Sequence, residues 1–207
     1  FYLRALWGRD FFLRPTGADF ADFRPFVEHR ILHLPDALDD YGEVAGLEVY
    51  RATAAHMAAH MVYSTVPISA EGLSPAQMFF IGLIEDARIE YKAVSEFPGL
   101  KTLWRLLMEV PSEEKPEHPT MPILEKFSLM LLDDSASCDD EELSAFAVRF
   151  HAEIEQHQDD NNFCWHLGLE VFNLFSARKE VPSLRILERI DIPYRDDNRY
   201  VWEFEEF

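Results

Sequence analysis

The chain has little cysteine: two in 207 residues, Cys138 and Cys164, 26 positions apart and in no CxxC pair. Such a pair reads as ordinary buried or half-buried thiols of a reducing compartment, not as a disulfide framework. Positive charge is also scarce, with 19 Lys+Arg against 38 Asp+Glu and a net charge of −19. Nothing here neutralises a run of phosphates, so nucleic acid is excluded as a partner, and the anionic face of a membrane is disfavoured. Long apolar runs are missing too. The stretch MFFIGLI at residues 78–84 falls well short of the roughly 20 residues that span a bilayer, so no membrane insertion is expected. No basic-then-apolar leader opens the chain. Its first residue is Phe, which leads us to expect a piece of a longer protein. GxxxxGK[ST], GxGxxG and GxSxG are all absent, which leaves no nucleotide or serine-hydrolase signature.

What is present is apolar and aromatic: 48% hydrophobic and 14% aromatic residues, 17 of them Phe. That is far too rich for a disordered acidic tail. The length suits one domain or two small ones and allows roughly 70% of the unfolded surface to be buried. The predicted class is mainly α, a helical bundle with an irregular aromatic N-terminal arm. Residues 1–42 form the arm, broken by Pro15, Gly17, Pro25 and Pro35. Trp7, Phe11, Phe12, Phe20, Phe23 and Phe26 are expected to pack it over the body, and the alternation across residues 27–34 permits one short extended segment.

Residues 43–110 read as a helical core. Residues 43–64 are Ala-rich without proline; Ser74 as N-cap and Pro75 at the first helical position open a helix to about Phe97. A third helix spans residues 98–110, with Leu100, Leu103, Trp104 and Leu107 along one stripe. A Pro-rich break covers residues 111–122. Residues 123–207 hold further helices, at 121–133, 140–158, 161–178 and 182–190, and an extended closing segment of alternating aromatics and acids. One compact unit is expected, with no strand series.

The residues that carry chemistry lie in the helical core. His56 and His60 in AHMAAH are four apart and project from one helix face. Asp86 and Glu90 in LIEDARIEY share a face of the next helix, while Glu85 points elsewhere. Two antiparallel helices therefore offer two imidazoles and one or two carboxylates to a divalent ion, Zn²⁺ or Fe²⁺, and the candidate set is His56, His60, Glu85, Asp86 and Glu90. The likeness to HExxH zinc peptidases is superficial, because Met57 stands where the general base belongs. The alternative is a polar core cluster in which the histidines hydrogen-bond to the acids and Arg88 pairs with a carboxylate.

Other histidines are weaker candidates. His151 and His157 are six apart and fall on different helix faces, and His29 and His33 precede Pro35 in an irregular stretch. Asp139, Asp140, Glu141 and Glu142 form an acidic run with two readings: a solvated helix start, which suits carboxylates, or a docking patch for a basic partner.

At RATAAHMAAHMVYS, and then at ISAEGLSPAQMFFIGLIEDARIEYKAVSEFPGL, the chain resembles the NorD/CbbO family. LRALWGRDFFLRPT, RPFVEHRILHLPDALDD and the closing IPYRDDNRYVWEFEE extend the likeness to both ends, with residues 113–180 contributing little. The resemblance implies a large cytoplasmic protein with a C-terminal von Willebrand factor A domain, working with a hexameric MoxR-type AAA+ ATPase that hydrolyses the ATP. With no DxSxS adhesion signature assigned within it, the chain is expected to lie N-terminal to that domain. In the CbbO branch the pair acts as a Rubisco activase, and in the NorD branch the client is nitric oxide reductase. IEYKAVSEFPGLKTLW leans toward CbbO. The expectation is thus a non-enzymatic adaptor, with a metal-dependent helical domain as the competing class.

Overall fold

The computed structural model describes residues 1–17, 24–112, 115–190 and 192–204. Its spine is a helix whose start is written in the sequence. Ser74 accepts a hydrogen bond from the Gln77 amide, the Gln77 side chain answers to the Ser74 amide, and Pro75 occupies the first turn. This capping box opens α3, Pro75–Glu96.

The two ends of α3 enter different apolar cores. Phe80, Leu83, Ile84 and Ala87 pack with α5 (Thr120–Leu132), α6 (Glu141–His157) and α7 (Asn161–Ala177). Ile89 and Ala93 pack with α1 (Tyr2–Trp7), α2 (Gly46–Tyr63) and α4 (Gly99–Met108). One uninterrupted helix therefore joins the parts on either side of the Pro-rich break. Gly168 lets α7 lie against α3: a Cβ there would fall 2.5 Å from the Cα of Ile81.

The chain is mainly α, with eight α-helices among the described residues. The predicted helices recur with trimmed ends, and the last shrinks to a single turn, α8 (Leu184–Leu187). Helix α2 is buried almost all round, in keeping with its run of Ala and Met.

The arm is more ordered than expected. It contains α1 and a three-stranded sheet of β1 (Phe12–Pro15), β2 (Phe26–Glu28) and β3 (Ile31–Leu34), in the order β1-β3-β2. β1 runs parallel to β3 and β2 antiparallel to it. The single extended segment expected over residues 27–34 is instead a hairpin. His29 and Arg30 turn the chain with φ of 49° and 62°, an I′-like conformation that Asn-Gly normally announces and that these side chains conceal. Val27, Leu32 and Leu34 face the core.

Trp7 anchors the arm, meeting Phe97 edge-on at 5.4 Å and donating its indole N–H to the Tyr63 hydroxyl at 3.0 Å. Phe11 packs partly buried on this core, whereas Phe12 is exposed. Phe20 and Phe23 lie outside the described residues.

The closing segment, residues 192–204, returns to α3. It makes a 3-10 turn at Arg199–Val201, then β5 (Trp202–Glu203) pairs in parallel with β4 (Ile68–Ser69).

Candidate metal centre

The four-residue spacing of His56 and His60 on α2 aims both imidazoles at α3, where Asp86 and Glu90 repeat the spacing. Both histidines are fully buried, as is Glu90, and Asp86 nearly so. From the far end of the chain the closing segment inserts Tyr194, Arg195, Asp196 and Asn198 into the same place.

Four donor atoms converge, one each from His56, His60, Asp86 and Asp196, all within 4.8 Å of one another. His60 Nε2 lies 3.0 Å from Asp86 Oδ1 and 3.6 Å from Asp196 Oδ1. His56 Nε2 lies 3.4 Å and 3.7 Å from the same two oxygens. Ligands bound tetrahedrally at about 2.0 Å from a Zn²⁺ ion stand about 3.3 Å apart. These residues could therefore hold a metal ion.

The surrounding hydrogen bonds favour that arrangement. His60 Nδ1 sits 3.1 Å from the Ser64 hydroxyl, which donates to Glu85 Oε1 at 2.7 Å. His56 Nδ1 is 3.2 Å from Glu90 Oε1. With the ring protons on Nδ1, beside the Ser64 hydroxyl and Glu90, both Nε2 lone pairs would turn toward Asp86 and Asp196; in the other tautomer His60 Nε2 donates to Asp86 Oδ1 at 3.0 Å. In the first tautomer lone pairs face carboxylate oxygens across the centre, a juxtaposition that only protons or a cation can satisfy. Neither oxygen of Asp196 has a hydrogen-bond partner, and neither ring nitrogen of His56 has one of good alignment.

Charges in the cluster reinforce this. Glu85, Asp86, Glu90 and Asp196 supply four negative groups, and Arg88 and Arg195 supply two positive ones. Were all four acids ionised and both imidazoles neutral, two negative charges would remain, the complement of a divalent ion. In the ion-free cluster, burial opposes a charged His56, but hydrogen bonds and charge from Asp86 and Glu90 outweigh it and hold its pKa up at about 9. Burial likewise opposes ionised Asp86 and Glu90, yet Arg195 and His56, joined at Asp86 by His60, hold both below the usual carboxylate range. Asp196 behaves oppositely: burial pushes its pKa up and the two histidines only partly offset this.

The sequence candidates therefore divide. His56, His60 and Asp86 supply donor atoms. Glu90 stands behind His56, tied also to Tyr194 at 3.0 Å and to Arg195 at 2.9 Å and 3.0 Å. Glu85 belongs to the Arg88 pair, with contacts of 2.8 Å and 2.6 Å, because its place on the helix turns it away from His56. Asp196 was missed in the sequence. Its only signal was an acid-rich YRDDN between apolar residues, within a segment read simply as extended.

A cleft of about 480 Å³ leads to the cluster. Asp86, Arg195, Asp196 and Asn198 line it, and Met78, Leu83, Leu187 and Trp202 contribute apolar wall. On the opposite side Trp104 stacks on Tyr194 at 5.5 Å and presents its edge to His56.

The remaining candidates lie elsewhere. His151 contacts the Met130 carbonyl, His157 stacks on Phe163, and His33 stacks on Phe26. Asp140 caps α6 and, with Glu142, binds Arg178, while Asp139 and Glu141 are exposed. One spacing escaped the sequence reading. Asp133, Ser135 and Ser137 do spell DxSxS, but Asp133 terminates a helix, accepts from the Ser135 amide and hydroxyl, and pairs with Lys101 and Arg105.

Comparison with family models, with curated proteins and with solved structures finds no match. Among the described residues no helix is long and apolar enough to cross a membrane.

Proposed function

We propose that this chain is a non-enzymatic adaptor region, built around a buried divalent-metal site, that works with a MoxR-type AAA+ ATPase in the cytoplasm. The client favoured is inhibited Rubisco, with nitric oxide reductase as the alternative. The observation that supports this reading is where the family-like phrases fall in space. Residues 51–100 contribute His56, His60, Ser64, Glu85, Asp86, Arg88 and Glu90, and the closing IPYRDDNRY contributes Tyr194, Arg195, Asp196 and Asn198. The segments carrying the resemblance are the ones that assemble the polar cluster.

The donor set is two imidazoles and two carboxylates with no thiolate, which suits Zn²⁺ or Fe²⁺. Four protein donors fill a tetrahedral ion, the mark of a structural site. Met57, fully buried, replaces the carboxylate a peptidase uses as general base. Both points favour a scaffold over a hydrolase. An adaptor raises the effective concentration of client near the ATPase, whose ATP-driven motion remodels the client. Exposed Asp139 and Glu141 are available to a basic partner surface.

Native mass spectrometry of the chain mixed with its cognate MoxR-type ATPase tests the reading. A complex of the chain with the ATPase hexamer is expected, with a changed ATPase rate. If the protein carrying this region neither binds nor stimulates the ATPase, the adaptor reading fails.

A further inference from the structure

We propose that the ion held by His56, His60, Asp86 and Asp196 is a structural Zn²⁺ clasp that fastens the closing segment, residues 192–204, onto helices α2 and α3 and thereby shapes one wall of the cleft. The inference rests on the metal reading above and adds a task for the metal.

Three of the four donors come from two helices that already pack together. His56 and His60 lie in α2 and Asp86 in α3, so the metal adds little to their mutual position. Asp196 is different. It lies in a segment without regular structure from Ile192 to Asn198. Its neighbours already reach α3: Tyr194 and Arg195 bond Glu90, and Asn198 donates to Asp86 Oδ2 at 3.0 Å. Asp196 sits among them, fully enclosed, with no hydrogen-bond donor of its own and only the imidazoles at 3.6 Å and 3.7 Å. A buried carboxylate in that position opposes the closure its neighbours favour. A cation between it and the imidazoles reverses that sign. The ion therefore converts an unfavourable contact of the segment into a link to α2 and α3.

The cleft follows from the same closure. Ile192, Arg195, Asp196, Asn198, Trp202 and Phe204 all line it, so release of the segment removes that wall. Zinc fits better than a harder ion because two of the donors are imidazole nitrogens and the four imidazole-to-carboxylate distances, 3.0–3.7 Å, lie near the edge of a zinc tetrahedron.

Hydrogen exchange on the whole chain, with Zn²⁺ alone as the probe, decides the matter. The chain is purified without chelators, its metal is counted, and amide exchange is followed before chelation, after it, and after Zn²⁺ is restored. The clasp predicts one ion per chain. At free Zn²⁺ about 100 times its Kd, opening of residues 192–203 is suppressed about 100-fold, and chelation releases that protection. Amides of α6 and α7 in the other core change little. Asp196→Asn should exchange like the chelated protein and ignore added Zn²⁺. Tyr194→Phe, which removes a tie but no donor, should keep the metal response.

One ion per chain with exchange of residues 192–203 unaffected by chelation would overturn the clasp and leave the metal reading standing. No ion retained or taken up would overturn both.

Discussion

Asp196 Oδ1 lies 3.6 Å from His60 Nε2, yet neither carboxylate oxygen of Asp196 receives a hydrogen bond. A buried acid that receives no hydrogen bond is unfavourable by itself and favourable around a cation, so Asp196 is the residue whose effect on stability should change sign with metal. In chelated protein Asp196→Asn is expected to leave the melting temperature unchanged or raised. With Zn²⁺ present the wild-type chain should gain stability and the variant should not. Thermal melts of both proteins with and without Zn²⁺ check this, and a variant equally destabilised in both conditions would contradict it.

Glu90 holds the cluster without supplying a donor atom to the centre. It accepts from Tyr194 and twice from Arg195, all buried. Glu90→Ala leaves a buried guanidinium and phenol without their acceptor and should cost about 3–5 kcal/mol in urea denaturation. The alanine variant should also release the closing segment, because two of its ties end on Glu90.

Much of this was legible in the sequence, for reasons that differ by element. The start of α3 was readable because Ser74, Pro75 and Gln77 act locally, and α2 because its Ala-rich run has no breaker. The pairing of His56 and His60 followed from the pitch of a helix. The β2–β3 hairpin was hidden because His29 and Arg30 adopt positive φ without glycine or asparagine. Asp196 was hidden for a deeper reason: its partners are more than a hundred residues away, and no local periodicity reports a contact made by an irregular segment. Glu85 stood in the candidate set although its place on the helix pointed it elsewhere, and the alternative of an Arg88–carboxylate pair is the one it makes.

The contact between α3 and α7 gives a test of the fold independent of the metal. A methyl at residue 168 meets the Ile81 backbone, which cannot rotate away as a side chain can. Gly168→Ala should therefore destabilise by about 1–3 kcal/mol. Chemical denaturation of the variant measures this, and a neutral result would mean that the two helices lie farther apart.

Acid stability should depend on Asp133. Burial raises its pKa, but the Ser135 amide, Lys101 and the Ser135 hydroxyl outweigh that and hold it down at about 2. The folded value lies below the unfolded value of about 4. The stabilisation is thus complete above pH 4 and is lost as the pH falls through 2. Asp133→Asn should lower stability at neutral pH and flatten the decline between about pH 4 and 2. Denaturation midpoints across that range would show it, and parallel curves for the two proteins would contradict it.

The measurement that tests the central claim most directly is X-ray absorption at the edge of the metal retained by the chain. The account predicts one Zn²⁺ with four nitrogen and oxygen neighbours at about 2.0 Å, two of them showing the outer-shell scattering of imidazole. Sulfur neighbours, a hydrated ion without imidazole, or a chain that takes up no metal at all would contradict it.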